Sequence, residues 1–331
     1  MNLVKDAWIP VVHRSGAHGT IRPAGIADRD DPPIDLATVR PDFHGALAQL
    51  LVGLVQSVAT PADSRSWREW YETPPGPEEL DELLRPLAPA FELDGDGPRF
   101  LQDFEMGPHL GDRTPVADLL IDLASGGSND HFLKDAEVSG ICSACTASAL
   151  QALQVNATSG GRGHRTGIRG GGPMTTLVVP DPEDEPGHDT LWHMVWLNVL
   201  DQRVLASLPG GAVDELDQTV FPWLAPTRTS EKGSGRPSTT EDHPALHALW
   251  AMPRRIRLAD AERGVCDLCG AGGPVYRSYL RRPYGMSYEG GWRHPYGPYN
   301  EESQPPSPVH VQRGGAGYRQ WLALVFDVDS A

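Results

Sequence analysis

A chain of 331 residues that is 39% hydrophobic has enough apolar material to bury a sizeable core. Its formal net charge of −16 repels nucleic acid and anionic membranes at the level of the whole molecule, so any phosphate-binding surface must be local. No apolar run approaches the ~20 residues that span a bilayer, and Met1-Asn2-Leu3-Val4-Lys5-Asp6 lacks the charged start and long apolar stretch of a secretion signal. The expectation is a soluble cytoplasmic protein, in which paired thiols read as metal ligands rather than disulfides.

Gly (36) and Pro (31) are abundant, which predicts many turns between short elements. In chain order, Phe43, Leu47, Leu50, Leu51, Leu54 and Val55 fall on one face and predict a helix from Phe43 to Val55, with Asp42 as N-cap. The Pro/Glu/Asp-rich stretch Pro74 to Gly97 predicts an exposed helix flanked by loops. Val116 to Leu123 predicts a short amphipathic helix, and Ala124 to Gly140 a loop. A helix from Cys145 to about Asn156 leads into a Gly-rich run, followed by a strand from Thr175 to Val179. Leu191 to Leu200 reads as a buried helix. Polar, Gly/Ser/Pro-rich Thr227 to His243 reads as a mobile loop or linker. Strands are predicted at Arg255 to Leu258, Val275 to Leu280 and Trp321 to Phe326. Helices and strands mix without regular alternation, which favours α+β, as one large irregular domain over 1–331.

All four cysteines fall in two Cys-x-x-Cys pairs, Cys142/Cys145 and Cys266/Cys269. That spacing lets both thiolates of a pair face one tetrahedral ion at ~2.3 Å. The first pair enters a helix. The second, Cys266-Asp267-Leu268-Cys269-Gly270 between strand-like segments, is like a zinc-ribbon knuckle, with the glycine where the turn often needs positive φ. Four thiolates leave no open position, so the expected ion is structural Zn2+, tying together segments separated by 120 residues. The alternatives are an iron–sulfur cluster or two unrelated buried or redox-active pairs.

Two segments are locally basic. Residues 160–172 contain Arg162, Arg165 and Arg169 among glycines and no acid, but they match neither a P-loop nor a dinucleotide fingerprint. Residues 253–293 hold Arg254, Arg255, Arg257, Arg263, Arg277, Arg281, Arg282 and Arg293, interleaved with Tyr276, Tyr279, Tyr284, Tyr288 and Trp292. Arginine beside aromatic rings suits phosphate contact and stacking; a solvated strand face with snorkelling arginines is the alternative. The 12 histidines form no recognisable catalytic motif. His44, His164, His243 and His294 read as surface or core residues.

Several stretches together carry a resemblance: Asn2-Leu3 with Asp6-Ala7-Trp8-Ile9-Pro10-Val11, Phe100-Leu101-Gln102-Asp103, Cys142/Cys145 with Thr146-Ala147, Gly167-Ile168-Arg169-Gly170-Gly171, Cys266/Cys269, and Trp292-Arg293-His294-Pro295-Tyr296. In this order they resemble the CasA family, the large subunit of the type I-E CRISPR surveillance complex Cascade, over nearly the whole chain. The resemblance implies a non-catalytic subunit of an antiviral ribonucleoprotein that recognises the protospacer-adjacent motif (PAM) in double-stranded DNA, largely from the minor groove. It further implies aid to duplex opening for guide-RNA pairing and recruitment of the Cas helicase–nuclease.

The family's motif-sensing loop falls at Asn129 to Lys134, with His131, Phe132 and Leu133 at its centre. Its glycine loop falls at Gly160, Gly161, Arg162 and Gly163, where Arg162 departs from the family pattern. Its lysine finger falls near Arg281-Arg282, where no lysine stands. The family's C-terminal helical bundle and glutamine wedge find no counterpart in this sequence, and duplex opening is expected to suffer accordingly. Two other functional classes are kept beside this one: a zinc-stapled enzyme whose Gly-rich loop holds a phosphorylated small molecule, and a pure scaffold that contacts RNA or protein.

Overall fold

The computed structural model describes residues 1–107, 110–121, 138–157, 161, 163–181, 183, 186–213 and 215–310. The N-terminal β-branched run builds a three-stranded antiparallel sheet that the sequence reading missed: β1 (Ile9–His13) lies between β2 (His18–Ile21) and β3 (Pro33–Leu36). Ile9 and Val11 point into the core while Pro10 and Val12 stay half-buried, the alternation expected of a one-sided sheet.

Helix α1 (Pro41–Val58) follows and is longer than predicted at both ends. Pro41 occupies the first helical position, so Arg40, not Asp42, is the N-cap. Asp42 sits in the first turn, paired with Arg40 at 2.9 Å. Every residue from Ala46 to Gln56 is buried, because other helices pack around α1. Helix α2 (Ser64–Glu72) starts on a capping box, with Ser66 N–H donating to Asp63 at 2.8 Å. The Pro74 to Gly97 stretch contains α3 (Pro77–Leu84) and a 3₁₀ turn, Arg85–Ala90. Its inner face is buried through Leu80, Leu84 and Leu87 and is therefore less exposed than expected.

Helix α4 (Ser143–Asn156) packs along α1, and α5 (Leu191–Trp196) ends four residues earlier than predicted, leaving α6 (Gln202–Ser207) as a separate turn of helix. Residues Val116–Leu119 form only a 3₁₀ turn. The expected strand Thr175 to Val179 is irregular. Asn198 explains this: its side chain accepts from Val178 N–H and donates to Val178 C=O, both at 2.8 Å, satisfying locally the groups a neighbouring strand would have met.

Two further antiparallel sheets carry the candidate site. One orders β4 (Asp112–Pro115), β9 (Ser278–Arg282) and β6 (Arg255–Leu258). The other orders β5 (Ile141–Cys142), β8 (Gly272–Tyr276) and β7 (Glu262–Val265). The single strand predicted over Val275 to Leu280 is thus two, meeting at Arg277, one in each sheet. The observed architecture is α+β, with open sheets and helices around one core running from Leu3 to Tyr296. Among the described residues no helix is long and apolar enough to cross a membrane.

Aromatic rings fill that core. Phe91 lies 5.2 Å from Trp250, 5.7 Å from Trp223 and 5.3 Å from Phe100, mostly edge to face. Buried polar side chains from the family-like stretches tie the loops together. Gln102 donates to Leu93 C=O at 2.8 Å and accepts from Leu258 N–H at 2.9 Å, and Asn2 donates to Ala88 C=O at 2.8 Å. Asp103, 0% exposed, receives Arg255 at 2.5 Å and Thr227 at 3.0 Å. The segment 227–243, expected to be mobile, is irregular but tied at several points, with Ser238 N–H on Ser287 C=O at 2.7 Å and Ser238 wholly buried.

Candidate metal centre and nucleic-acid interface

Strand β5 ends on Cys142, which is also the N-cap of α4, so Cys145 comes round one helical turn later. Pairing of Cys142 with Val275 sets this corner beside the β7–β8 hairpin, whose tip carries Cys266 and Cys269. The tip closes through Cys266 N–H to Ala271 C=O and Gly270 N–H to Cys266 C=O, both at 2.9 Å. Gly270 has the positive φ, +76°, expected from the sequence.

The four Sγ atoms lie within 4.8 Å of one another, and Cys142 and Cys269 are 3.6 Å apart. A tetrahedral ion with bonds of ~2.3 Å needs sulfurs about 3.8 Å from each other, so the donor set fits a closed four-thiolate centre. Cys142 is pushed down to about 5, chiefly by the hydrogen bond it accepts from Cys145. Cys145 is raised, chiefly by that same bond. Cys269 is pushed up to about 11, first by burial. Crowded thiols of this kind resist ionising together, and a bound dication removes that resistance.

Asp267, between the second pair, had no role in the sequence reading. Its carboxylate accepts from Ser139 N–H at 2.7 Å, Gly140 N–H at 2.8 Å and Ser139 Oγ at 3.0 Å, which lowers its pKa. The Asp267 N–H also donates to Gly140 C=O at 2.9 Å. The carboxylate therefore clasps the two cysteine-bearing segments independently of any ion. The only advance signal was an Asp flanked by ligands, which is weak.

Two arms leave this centre and meet again. One runs along α4 toward the glycine run; the other runs through β8 and β9 to Arg281 and Arg282. They join where Tyr284 N–H donates to Gly163 C=O at 2.6 Å. Gly163 has φ +80°, and a Cβ there would stand 2.7 Å from the Cβ of Pro283, so only glycine permits the approach. His164 is lowered in pKa, first by burial and then by the positive charges of Arg254 and Arg281 nearby. Arg281 is 41% exposed and 3.9 Å from Asp118; Arg282 is half-buried, opposite Arg255 in the β6–β9 ladder.

The structure separates the arginines that the sequence grouped. Arg169 is buried, donating to Thr175 and Tyr296 C=O at 3.0 Å and to Gln49 at 2.9 Å, and burial lowers it to about 10. Arg254 and Arg255 are also buried, Arg277 pairs with Glu262 at 3.0 Å, and Arg293 pairs with Glu301 at 2.6 Å. Much of the basic island is therefore scaffold. His294 is buried and its pKa lies well below the usual value, a core histidine as expected. Of the candidate DNA-contacting residues, Gly161, Gly163, Arg281 and Arg282 are described. Asn129, His131, Phe132, Leu133, Lys134, Gly160 and Arg162 lie outside the described residues, as does the strand expected at Trp321 to Phe326.

An α+β chain with a four-cysteine cluster at the root of a glycine–arginine junction is the class of protein these features define. A family model described as CRISPR-associated protein Cse1 matches residues 2–331, and the chain belongs to that family. Solved structures share the fold. Thermus thermophilus CasA (Cse1) is 18% identical with a TM-score of 0.65, covering 97% of this chain and 62% of its own. Thermobifida fusca Cse1 is 18% identical with a TM-score of 0.67, covering 96% and 60%. A chain of a CRISPR RNA-guided surveillance complex is 16% identical with a TM-score of 0.63, covering 100% and 66%. The chain thus spans about three fifths of the length of the solved relatives it matches.

Proposed function

We propose that this chain is a non-catalytic subunit of a type I-E Cascade complex, acting in the cytoplasm beside the guide RNA and the other subunits. It inspects duplex DNA for the PAM, aids opening for guide pairing and receives the Cas helicase–nuclease. Family membership supports the assignment to CRISPR defence. The observation that carries the DNA-reading part is the Gly163–Tyr284 junction, which holds a side-chain-free backbone approach next to Arg281 and Arg282. A minor groove offers few distinguishing base groups, so a reader gains from close backbone approach with cations placed for the flanking phosphates.

In this reading Gly160, Gly161, Arg162 and Gly163 face the groove, and Asn129 to Lys134 sense the motif. Arg281 and Arg282 stand where the family uses a lysine, giving planar forked donors in place of a point charge. Cys142, Cys145, Cys266 and Cys269 hold a structural Zn2+, which supplies cross-linking and no reaction chemistry. The test is DNA binding by a complex reconstituted with this chain. Arg281→Glu with Arg282→Glu should weaken binding of motif-bearing duplex about tenfold or more at physiological salt while assembly is preserved. Unchanged affinity would overturn the reading.

A further inference from the structure

The junction has a third party. Segment 229–236 closes on itself, with Arg236 N–H on Thr229 C=O at 3.0 Å and Gly235 N–H on Glu231 C=O at 2.7 Å. One residue, Ser230, fastens this turn to both arms. Its N–H donates to Tyr284 C=O at 3.2 Å and its Oγ to Gly285 C=O at 2.8 Å. Arg165, two residues past Gly163, donates to Ser230 Oγ at 2.7 Å and to Ser230 C=O at 3.3 Å. Every hydrogen-bonding group of Ser230 is thereby engaged by the glycine run or by the turn after β9.

The tip that Ser230 presents is polar and exposed from Glu231 to Ser234, Lys232 included. Arg236 follows with a side chain 72% exposed, held only loosely by Asp242 at 3.9 Å because Asp242 is engaged by Arg228 at 2.6 Å. Glu231 is the acid on the tip itself. On a chain of net charge −16 that holds three lysines, a lysine on an exposed turn bonded to both basic arms is a local exception to the global field.

We infer that turn 229–236 is a further phosphate-contacting element of the same face, with Lys232 as its principal contact and Ser230 as the residue that positions it. The inference rests on the DNA-inspection reading above. A lysine on a flexible stem binds phosphate as a point charge without reading bases, so the contact adds affinity equally to all duplexes. Each phosphate contact contributes about one unit to the slope of log affinity against log salt, or about a threefold change between 50 and 200 mM.

The experiment measures duplex affinity across that salt range with complexes carrying the native chain, Lys232→Ala, Lys232→Arg or Arg281→Glu/Arg282→Glu. Lys232→Ala should weaken motif-bearing and motif-free duplexes by the same factor and lower the salt slope by about one, with Lys232→Arg restoring both. Ser230→Ala should reproduce the loss, and full thermal stability of that variant would assign it to positioning. An unchanged slope for Lys232→Ala, while Arg281→Glu/Arg282→Glu still weakens binding, overturns the role of the turn and leaves the DNA-inspection reading standing. If neither variant changes binding, both fail.

Discussion

The aromatic core around α1 and the Gly163–Tyr284 junction are built on opposite terms. In the first, Phe91, Trp223 and Trp250 interlock through ring faces and edges, and the buried carboxylate beside them, Asp103, is partnered by Arg255 and Thr227. In the second, contact is main chain to main chain, the nearby side chains carry charge toward solvent, and glycine is required because there is no room. Core residues are replaceable by volume and partner, whereas junction residues are replaceable by charge but not by bulk. Mutations should therefore sort into those that unfold the chain and those that spare the fold and affect binding.

The sharpest break lies at Asp103. Asp103→Ala strands Arg255 in the interior, and removing one member of a buried pair costs about 3–5 kcal/mol. Chemical denaturation should show that loss directly, and duplex binding should fall only as far as folding does. Next comes the metal centre. Metal analysis should find one zinc per chain, and Cys266→Ser should release it with a clear fall in Tm. No zinc or iron in the native protein would remove the centre from the account. Gly163→Ala is the smallest in stability, about 1–2 kcal/mol of left-handed strain. It is expected to weaken duplex binding by more than its fall in Tm explains, because the alanine methyl must displace Pro283. Binding that tracks Tm would erase the contrast between the two regions.

The sequence made some of this legible because the signals were local. Six apolar residues at helical spacing marked α1, and Cys-x-x-Cys spacing marked the two pairs, which the structure brings into one cluster. Charge counting failed where depth decides the role, since Arg169 and Arg255 read the same as Arg281 until burial separates them. The strand at Thr175 to Val179 failed for a different reason: a distant amide, Asn198, took the backbone groups. The meeting of Gly163 with Tyr284, and the part played by Ser230, had no local signal. Each depends on segments far apart in the chain, and only the folded sheets bring them together.

Arg277 gives the Asp267 clasp a wider meaning. Its C=O accepts from Val116 N–H at 2.9 Å, and its guanidinium donates to Ser139 C=O at 3.5 Å, just where Asp267 holds Ser139 and Gly140. One residue thereby ties the Val116 turn, after β4, to the Ser139–Gly140 approach to β5. The corner that carries Cys142 is therefore held by two separate fastenings, a carboxylate and a guanidinium. Such doubled anchorage lets one fastening loosen while the other keeps the cysteine corner in register with the β7–β8 hairpin.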